Sequence, residues 1–138
     1  MTSVLTYGTF DLFHHGHQNI LSRAEALGDH LFVGVSTDEF NLFKGKKSCD
    51  DLAARMRNVS RQVPNSYVFQ ETTFEQKVAD IIRFKIDVFV MGDDWKGEFD
   101  WLKSYCRVVY LPRTPGISTT MLKSLAMVPS MVHSLSLR

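Results

Sequence analysis

Two histidines near the amino terminus have the types and spacing that phosphate chemistry requires. They belong to residues 8–17, Gly-Thr-Phe-Asp-Leu-Phe-His-His-Gly-His, which join a predicted strand to a predicted helix. Gly8 permits a sharp turn, and Gly16 permits the backbone to approach a ligand closely. His14 and His17 flank the beginning of the helix, where free N–H groups and partial positive charge favour phosphate. Their imidazoles can donate hydrogen bonds to a phosphoryl group whose negative charge spreads in a transition state.

Two other interpretations of these histidines remain open on the residues alone. They can be solvated side chains of a loop, or ligands of a zinc ion. Zinc is the weaker interpretation, because neither Cys49 nor Cys106 has a partner at the spacing typical of zinc sites.

A second polar cluster occupies residues 113–120, Arg-Thr-Pro-Gly-Ile-Ser-Thr-Thr, and follows another predicted strand. Ser118 is a natural N-cap, so a helix beginning there would direct its N–H donors towards the end of the sheet. Arg113 and the hydroxyl groups of this stretch complete a potential anion site. An ordinary capped helix start is the alternative for this stretch alone. With residues 8–17 at the end of the first strand, however, the two clusters can hold one triphosphate between them.

The elements that position these clusters alternate along the chain. Strands are predicted at 4–7, 30–36, 67–70, 87–91 and 107–111, helices at 17–27, 50–62, 73–84, 95–105 and 118–127, and a loop at 38–47. This alternation predicts an α/β fold: a doubly wound, Rossmann-like, five-stranded parallel sheet with helices on both faces. Ligands of such sheets bind beyond the carboxyl ends of the strands, where the strand order reverses.

Length and composition predict one domain spanning residues 1–138, with a loosely ordered tail at 130–138. The formal net charge of +1 argues against binding to nucleic acid or to a membrane surface through an overall field. Two cysteines are too few for a disulfide framework, which favours a reducing, cytoplasmic location. The first residues lack the pattern of a signal peptide, and no apolar run is as long as a membrane span.

The motifs resemble those of the glycerol-3-phosphate cytidylyltransferases, which belong to a nucleotidyltransferase superfamily marked by His-x-Gly-His and Ile-Ser-Thr-Thr. The matching segments are residues 7–17, 36–41, 87–95 and 108–120. The resemblance covers most of the chain. It implies a homodimeric enzyme that uses Mg²⁺ to transfer CMP from CTP to glycerol 3-phosphate. The products would be pyrophosphate and CDP-glycerol, and CDP-glycerol would supply cell-wall or capsule polymers.

The resemblance also implies roles for individual residues. His14, His17, Lys44 and Arg113 would be catalytic, and Asp11 would lie near the triphosphate and ligate the metal. Lys44, Arg55 and Lys77 would bind the alcohol phosphate. The nucleotide would be held by Thr9, Phe10, Asp11, His14, His17, Lys46, Asp94, Trp95, Arg113, Thr114, Gly116, Ile117, Ser118, Thr119 and Thr120. On the residues alone, each lysine could equally be a solvated surface side chain.

The chain departs from the family pattern between residues 48 and 72. Aromatic residues are absent near Cys49 and Leu52, and Val-Pro-Asn-Ser at 63–66 replaces an Arg-Tyr-Val-Asp type of segment. We expect the missing arginine at position 63 to weaken the binding of the nucleotide phosphates, and the substitution Val63→Arg to restore it. Arg57 and Arg61 are poor substitutes, because helical geometry directs them away from Arg55 and from position 63.

Direct in-line attack by the alcohol phosphate on the α-phosphorus of CTP is the mechanism that these residues favour. Two other functions remain as alternatives. One is a related transferase that uses ATP or a different phosphorylated alcohol. The other is a nucleotide-binding homologue without enzymatic activity.

Overall fold

Five parallel strands form the centre of the fold, in the spatial order β3-β2-β1-β4-β5. The computed structural model of the chain describes residues 1–114 together with Thr119, Leu122 and Lys123. The strands are β1 (Ser3–Gly8), β2 (His30–Ser36), β3 (Tyr67–Glu71), β4 (Val88–Gly92) and β5 (Arg107–Leu111). The predicted doubly wound parallel sheet is therefore confirmed.

The strand order creates one topological switch point, between β1 and β4. The chain runs outward from β1 through β2 to β3. It then crosses to the other side of β1, where it forms β4 and, at the edge of the sheet, β5. Connections from β1 and β4 therefore leave in opposite directions and open a crevice beyond their carboxyl ends. Gly8 and Gly92 terminate these two strands.

Four α-helices connect the strands: α1 (His15–Glu25), α2 (Asp38–Phe43), α3 (Leu52–Gln62) and α4 (Gln76–Arg83). The predicted loop at 38–47 was wrong in its first half. Helix α2 forms there because the Thr37 hydroxyl accepts a hydrogen bond from the Phe40 N–H at 3.0 Å, and because the Phe40 side chain is buried.

The predicted helix at 95–105 was also wrong. Two short 3₁₀ helices, Asp93–Trp95 and Asp100–Ser104, replace it. Gly97 lies between them with φ +87°, a conformation that interrupts an α-helix. Of the predicted helix at 118–127, only Thr119, Leu122 and Lys123 are described, and residues 130–138 lie outside the described part. No helix in the described part has the length and apolar character needed to cross a membrane.

Apolar side chains on both faces of the sheet anchor the helices. Val4 of β1 packs in one cluster with Leu21 of α1 and Val59 of α3. Leu5, the next residue along β1, packs on the opposite face with Ile81 of α4. Successive strand residues point to opposite faces, so this alternation covers both sides and leaves the carboxyl edge free for a site.

Candidate active site

A cavity of about 670 Å³ opens at the carboxyl edge of the sheet, and the end of every strand contributes to its wall. Among the predicted site residues, those that line it are Thr9, Phe10, Asp11, His14, His17, Lys44, Lys46, Lys77, Asp94, Trp95, Arg113, Thr114 and Thr119. Arg55 does not line it. The predicted residues Gly116, Ile117, Ser118 and Thr120 lie outside the described residues.

His14 and His17 form a reciprocal capping box at the beginning of α1. His14 is the N-cap, and its Nδ1 accepts from the Gly16 N–H at 3.0 Å. In return, Nδ1 of His17 accepts from the His14 N–H at 3.3 Å. The rings stack with centroids 3.8 Å apart. Because both Nδ1 atoms accept, each neutral ring carries its proton on Nε2.

The two Nε2–H groups converge on one point. The Thr119 hydroxyl lies 3.3 Å from Nε2 of His14 and 3.4 Å from Nε2 of His17. Its own proton is donated to the carbonyl of Asp11 at 3.2 Å, so its lone pairs accept from the histidines. The site thus directs two donors at a single oxygen, a geometry that suits a phosphoryl oxygen.

Burial keeps both imidazoles neutral. Desolvation, reinforced by the neighbouring His14 ring, lowers the pKa of His17 to about 3, although Asp11 opposes the shift. Desolvation also lowers the pKa of His14, with a further contribution from His15. At neutral pH these rings are therefore donors of hydrogen bonds and carry no full charge.

The turn that carries these histidines is made by residues other than glycine. Phe10 and Leu12 adopt left-handed conformations, with φ of 55° and 49°, which cost on the order of 1–3 kcal/mol each. The glycines provide space instead. A Cβ on Gly8 would lie 2.8 Å from the Phe10 ring, and one on Gly16 would lie 2.8 Å from the His14 ring. The motif therefore needs glycine at position 16 because any side chain there would collide with the His14 imidazole.

Two lysines and one carboxylate lie at the other end of the cavity. The Lys77 ammonium donates to Glu71 Oε2 at 2.8 Å, and both side chains are at least 95% buried. The Ser36 hydroxyl donates to Glu71 Oε1 and accepts from Lys44 Nζ at 3.2 Å. Burial lowers the pKa of Lys44, and the Glu71 carboxylate partly offsets that effect. Glu71 thus holds the Lys77 ammonium directly and the Lys44 ammonium through the Ser36 hydroxyl.

Aromatic rings enclose the Lys77 ammonium. Its Nζ lies 4.8 Å from the ring centroid of Tyr7, 5.5 Å from that of Phe74 and 5.6 Å from that of Phe99. Little water reaches this charge, so its electrostatic interactions, with Glu71 in the first place, are stronger than those of an exposed lysine.

Arg55 is buried behind the cavity wall. Its guanidinium donates to the carbonyls of Thr9 at 3.0 Å and Ser36 at 2.7 Å, and pairs with Asp38 at 2.6 Å. A further bond reaches the Asp50 carbonyl. Arg55 has no exposed surface and directs four hydrogen bonds at the protein itself, so it joins the loops that follow β1 and β2.

Asp11 does not fit the predicted role of metal ligand. Its Oδ1 accepts from the N–H groups of Leu12 and Asp50 at 3.1 and 2.9 Å. Its Oδ2 accepts from the Cys49 N–H at 2.8 Å and pairs with Lys123 at 3.4 Å. Cationic and N–H donors therefore surround both oxygens, and among the described residues no group of three metal-binding side chains occurs.

The remaining predicted residues lie on the open side of the cavity. Asp94 and Trp95 follow β4, Lys46 follows α2, and Arg113 follows β5; all four are exposed. Thr114 accepts a hydrogen bond from the Asn19 amide at 3.1 Å, which ties the segment after β5 to α1.

Sequence reasoning missed several polar residues of the cavity wall, among them Ser36, Glu71 and Lys123. Ser36 and Glu71 terminate β2 and β3, so their position at strand ends was a usable signal. Lys123 follows the second polar cluster by three residues, and nothing in its own spacing distinguishes it from a solvated lysine.

Comparisons with known proteins extend over nearly the whole chain. A family model described as cytidylyltransferase-like matches residues 5–125. The glycerol-3-phosphate cytidylyltransferase of Bacillus spizizenii is 56% identical over 123 residues, which cover 89% of this chain and 95% of the relative. The protein of the same name from Staphylococcus aureus is 50% identical, covering 89% of this chain and 93% of the relative.

Solved structures share the fold at lower identity. A lipopolysaccharide core biosynthesis protein from Thermoplasma volcanium superposes with a TM-score of 0.72 at 24% identity, covering 83% of this chain and 98% of that chain. A pantoate-beta-alanine ligase from Francisella tularensis has a TM-score of 0.58 at 11% identity, covering 83% of this chain and 60% of that chain. At these identities the likeness concerns the fold alone.

Proposed function

The chain belongs to the glycerol-3-phosphate cytidylyltransferases of the cytidylyltransferase-like family, and on that premise we propose that it transfers CMP from CTP to glycerol 3-phosphate. The products are CDP-glycerol and pyrophosphate. The observation that carries the proposal is the convergence of the His14 and His17 Nε2–H groups on one oxygen position. Two neutral donors aimed at one point suit a phosphoryl oxygen that gains charge during transfer.

The reaction is a single in-line displacement. An oxygen of the alcohol phosphate attacks the α-phosphorus of CTP and forms the new P–O bond. The bond from the α-phosphorus to the bridging oxygen breaks, and its electron pair leaves with pyrophosphate. The attacking phosphate is already an anion, so no side chain has to remove a proton. Catalysis then rests on positioning and on the stabilisation of charge.

The two ends of the cavity support a division of labour. Lys44 and Lys77, held around Glu71, would bind the phosphate of glycerol 3-phosphate. Lys46, Arg113 and Thr119 line the same cavity and would bind the phosphates of CTP. The histidines would act on the α-phosphoryl group at which the two substrates meet.

The nucleoside is assigned to the opening of the cavity beside β4. Asp94 and Trp95 follow β4 there and would contact the base, and Thr9 and Phe10 line the same cavity and would contact the ribose. Because backbone N–H groups and the Lys123 ammonium already contact both oxygens of Asp11, we propose that Mg²⁺ would arrive with CTP and would neutralise part of the charge of the triphosphate.

The function is tested by incubating the chain and Mg²⁺ with each nucleoside triphosphate and a panel of phosphorylated alcohols. Pyrophosphate release is measured, and the product is identified by mass spectrometry. We expect release with CTP and glycerol 3-phosphate, and a product with the mass of CDP-glycerol. Release only with ATP or another alcohol would assign a different transferase, and binding without any release would assign a nucleotide-binding homologue.

We also propose a cytoplasmic homodimer that supplies CDP-glycerol for cell-wall or capsule polymers. The free thiols of Cys49 and Cys106 support a reducing location. Apolar side chains exposed on the β3 side of the sheet, those of Phe43, Tyr67 and Phe74, support association. Sedimentation equilibrium would distinguish a dimer from a monomer.

A further inference from the structure

Asp11 joins three segments of the chain that surround the nucleotide end of the cavity. Its own segment follows β1, and its carboxylate accepts from the N–H groups of Cys49 and Asp50 in the loop after α2. Its carbonyl accepts from Thr119, and its Oδ2 pairs with Lys123. Its side chain is only 1% exposed, so it is a fixed point of the site.

Lys123 is bound to this fixed point less firmly than the other groups. Its Nζ lies 3.4 Å from Asp11 Oδ2, whereas strong ammonium–carboxylate contacts are about 2.7–2.9 Å long. Its side chain is 35% exposed and lines the cavity. Three backbone N–H groups still satisfy the Asp11 carboxylate when Lys123 leaves it. The carboxylate therefore keeps hydrogen-bond donors when the ammonium exchanges it for another anion.

We infer that Lys123 is a phosphate-binding residue that rests on Asp11 and moves to the β- or γ-phosphate of the nucleotide. The entering triphosphate presents several negative oxygens to an ammonium that lies inside the same cavity. A charge-assisted hydrogen bond to phosphate then replaces the long contact with Asp11. The inference rests on the proposed function, and it adds a residue to the site.

The surroundings of Lys123 indicate which phosphate it binds. Its Nζ also donates to the Lys47 carbonyl at 3.0 Å, next to Lys46 in sequence. Lys44 and Lys77 form a separate group around Ser36 and Glu71, in which Lys123 takes no part. The alcohol phosphate therefore has its own cations. Lys123 is left for the phosphates that depart as pyrophosphate.

The test compares ligands that do and do not carry the outer phosphates. Isothermal titration calorimetry measures the Kd of CTP, CMP and inorganic pyrophosphate for the full chain and for Lys123→Ala. Loss of one charged hydrogen bond should weaken CTP and pyrophosphate about ten- to a hundredfold. Lys123 should make no bond to CMP or to glycerol 3-phosphate. The Kd of CMP and the KM for glycerol 3-phosphate should therefore stay within about twofold of the values for the unaltered chain.

Two further variants complete the design. Lys123→Gln keeps the length of the side chain without its charge, and should reproduce the Ala result if Lys123→Ala proves unstable to heating. Lys103→Ala is the matched control, because Lys103 is 61% exposed in a surface ion pair with Asp100. It should leave all three affinities unchanged.

Equal weakening of CMP and CTP would overturn the inference, since it would mean that Lys123 only holds the segments together. Unchanged affinities for CTP and pyrophosphate would overturn it as well. Failure of the proposed function gives a different result, in which the unaltered chain does not bind CTP. In that case the comparison is made between the triphosphate that does bind and its monophosphate.

Discussion

Glu71 and Lys77 form an ion pair of 2.8 Å in which both side chains are almost completely buried. The carboxylate belongs to the end of β3 and the ammonium to α4, so the pair connects the sheet edge to the helix beside it. A buried pair of this kind leaves a costly unpaired charge when one partner is removed. Any test of Lys77 as a substrate ligand must therefore separate binding from stability.

The first prediction concerns Lys77 and the alcohol phosphate. The double variant Lys77→Gln/Glu71→Gln removes both charges together, so no buried ion is left unpaired. Loss of the charged contact should raise the KM for glycerol 3-phosphate about tenfold or more, with a much smaller change in the KM for CTP. Steady-state kinetics measures both values. Equal changes for the two substrates would contradict the assignment.

The second prediction concerns the paired histidines. His14→Asn and His17→Gln retain acceptors suited to the capping box but lose the Nε2–H donors. Each should lower kcat on the order of a hundredfold or more, with little change in thermal stability. His15→Ala is the control, because His15 is exposed and should keep near-normal turnover. Normal turnover by His14→Asn would remove the basis of the proposed site.

The third prediction is a loss of stability in mild acid. The unfolded chain binds a proton on His17 near pH 6.5, whereas burial lowers the pKa in the folded chain to about 3. Between these values the unfolded state binds more protons, so the free energy of unfolding falls as pH decreases. The slope is at most about 1.4 kcal/mol per pH unit for one proton. Urea denaturation at pH 7.5, 6.5 and 5.5 should show this fall, and His17→Gln should reduce it.

The fourth prediction separates Arg55 from the substrate ligands. Arg55→Ala leaves the Asp38 carboxylate and three carbonyl oxygens without this donor, and should lower the free energy of unfolding by about 3 kcal/mol or more, chiefly through the unsatisfied carbonyl groups. Arg57→Ala, on the exposed side of α3, should cost about 0.5 kcal/mol or less. A fully stable Arg55→Ala with a raised KM for glycerol 3-phosphate would instead support the role that the resemblance implies.

The fifth prediction concerns position 63. Val63 is 1% exposed and belongs to the apolar cluster between α3 and the sheet. The expectation that Val63→Arg would improve nucleotide binding is therefore not supported, because the guanidinium would enter this cluster and not the cavity. Urea denaturation of Val63→Arg should show a free energy of unfolding lower by about 3 kcal/mol or more. Arg61→Ala, at an exposed position nearby, should have little effect, and an active, fully stable Val63→Arg would contradict this account.

The sequence by itself determined the five strands and the edge of the sheet at which the site forms. Strand β2 was predicted with the bounds that the structure has, His30–Ser36, because a buried strand is a continuous apolar run. The parallel sheet followed from alternation, and the position of the histidines followed from their place after the first strand. These inferences depend on interactions between residues that are near in sequence.

Only the tertiary structure decided which charged side chains face the cavity. Arg55 and Lys77 are both helical and were assigned the same role, yet one is enclosed by carbonyl groups and the other lines the cavity. The convergence of His14 and His17 on Thr119 joins residues more than a hundred positions apart. Such relationships depend on how distant segments pack against each other, and side-chain spacing within one segment carries no information about that packing.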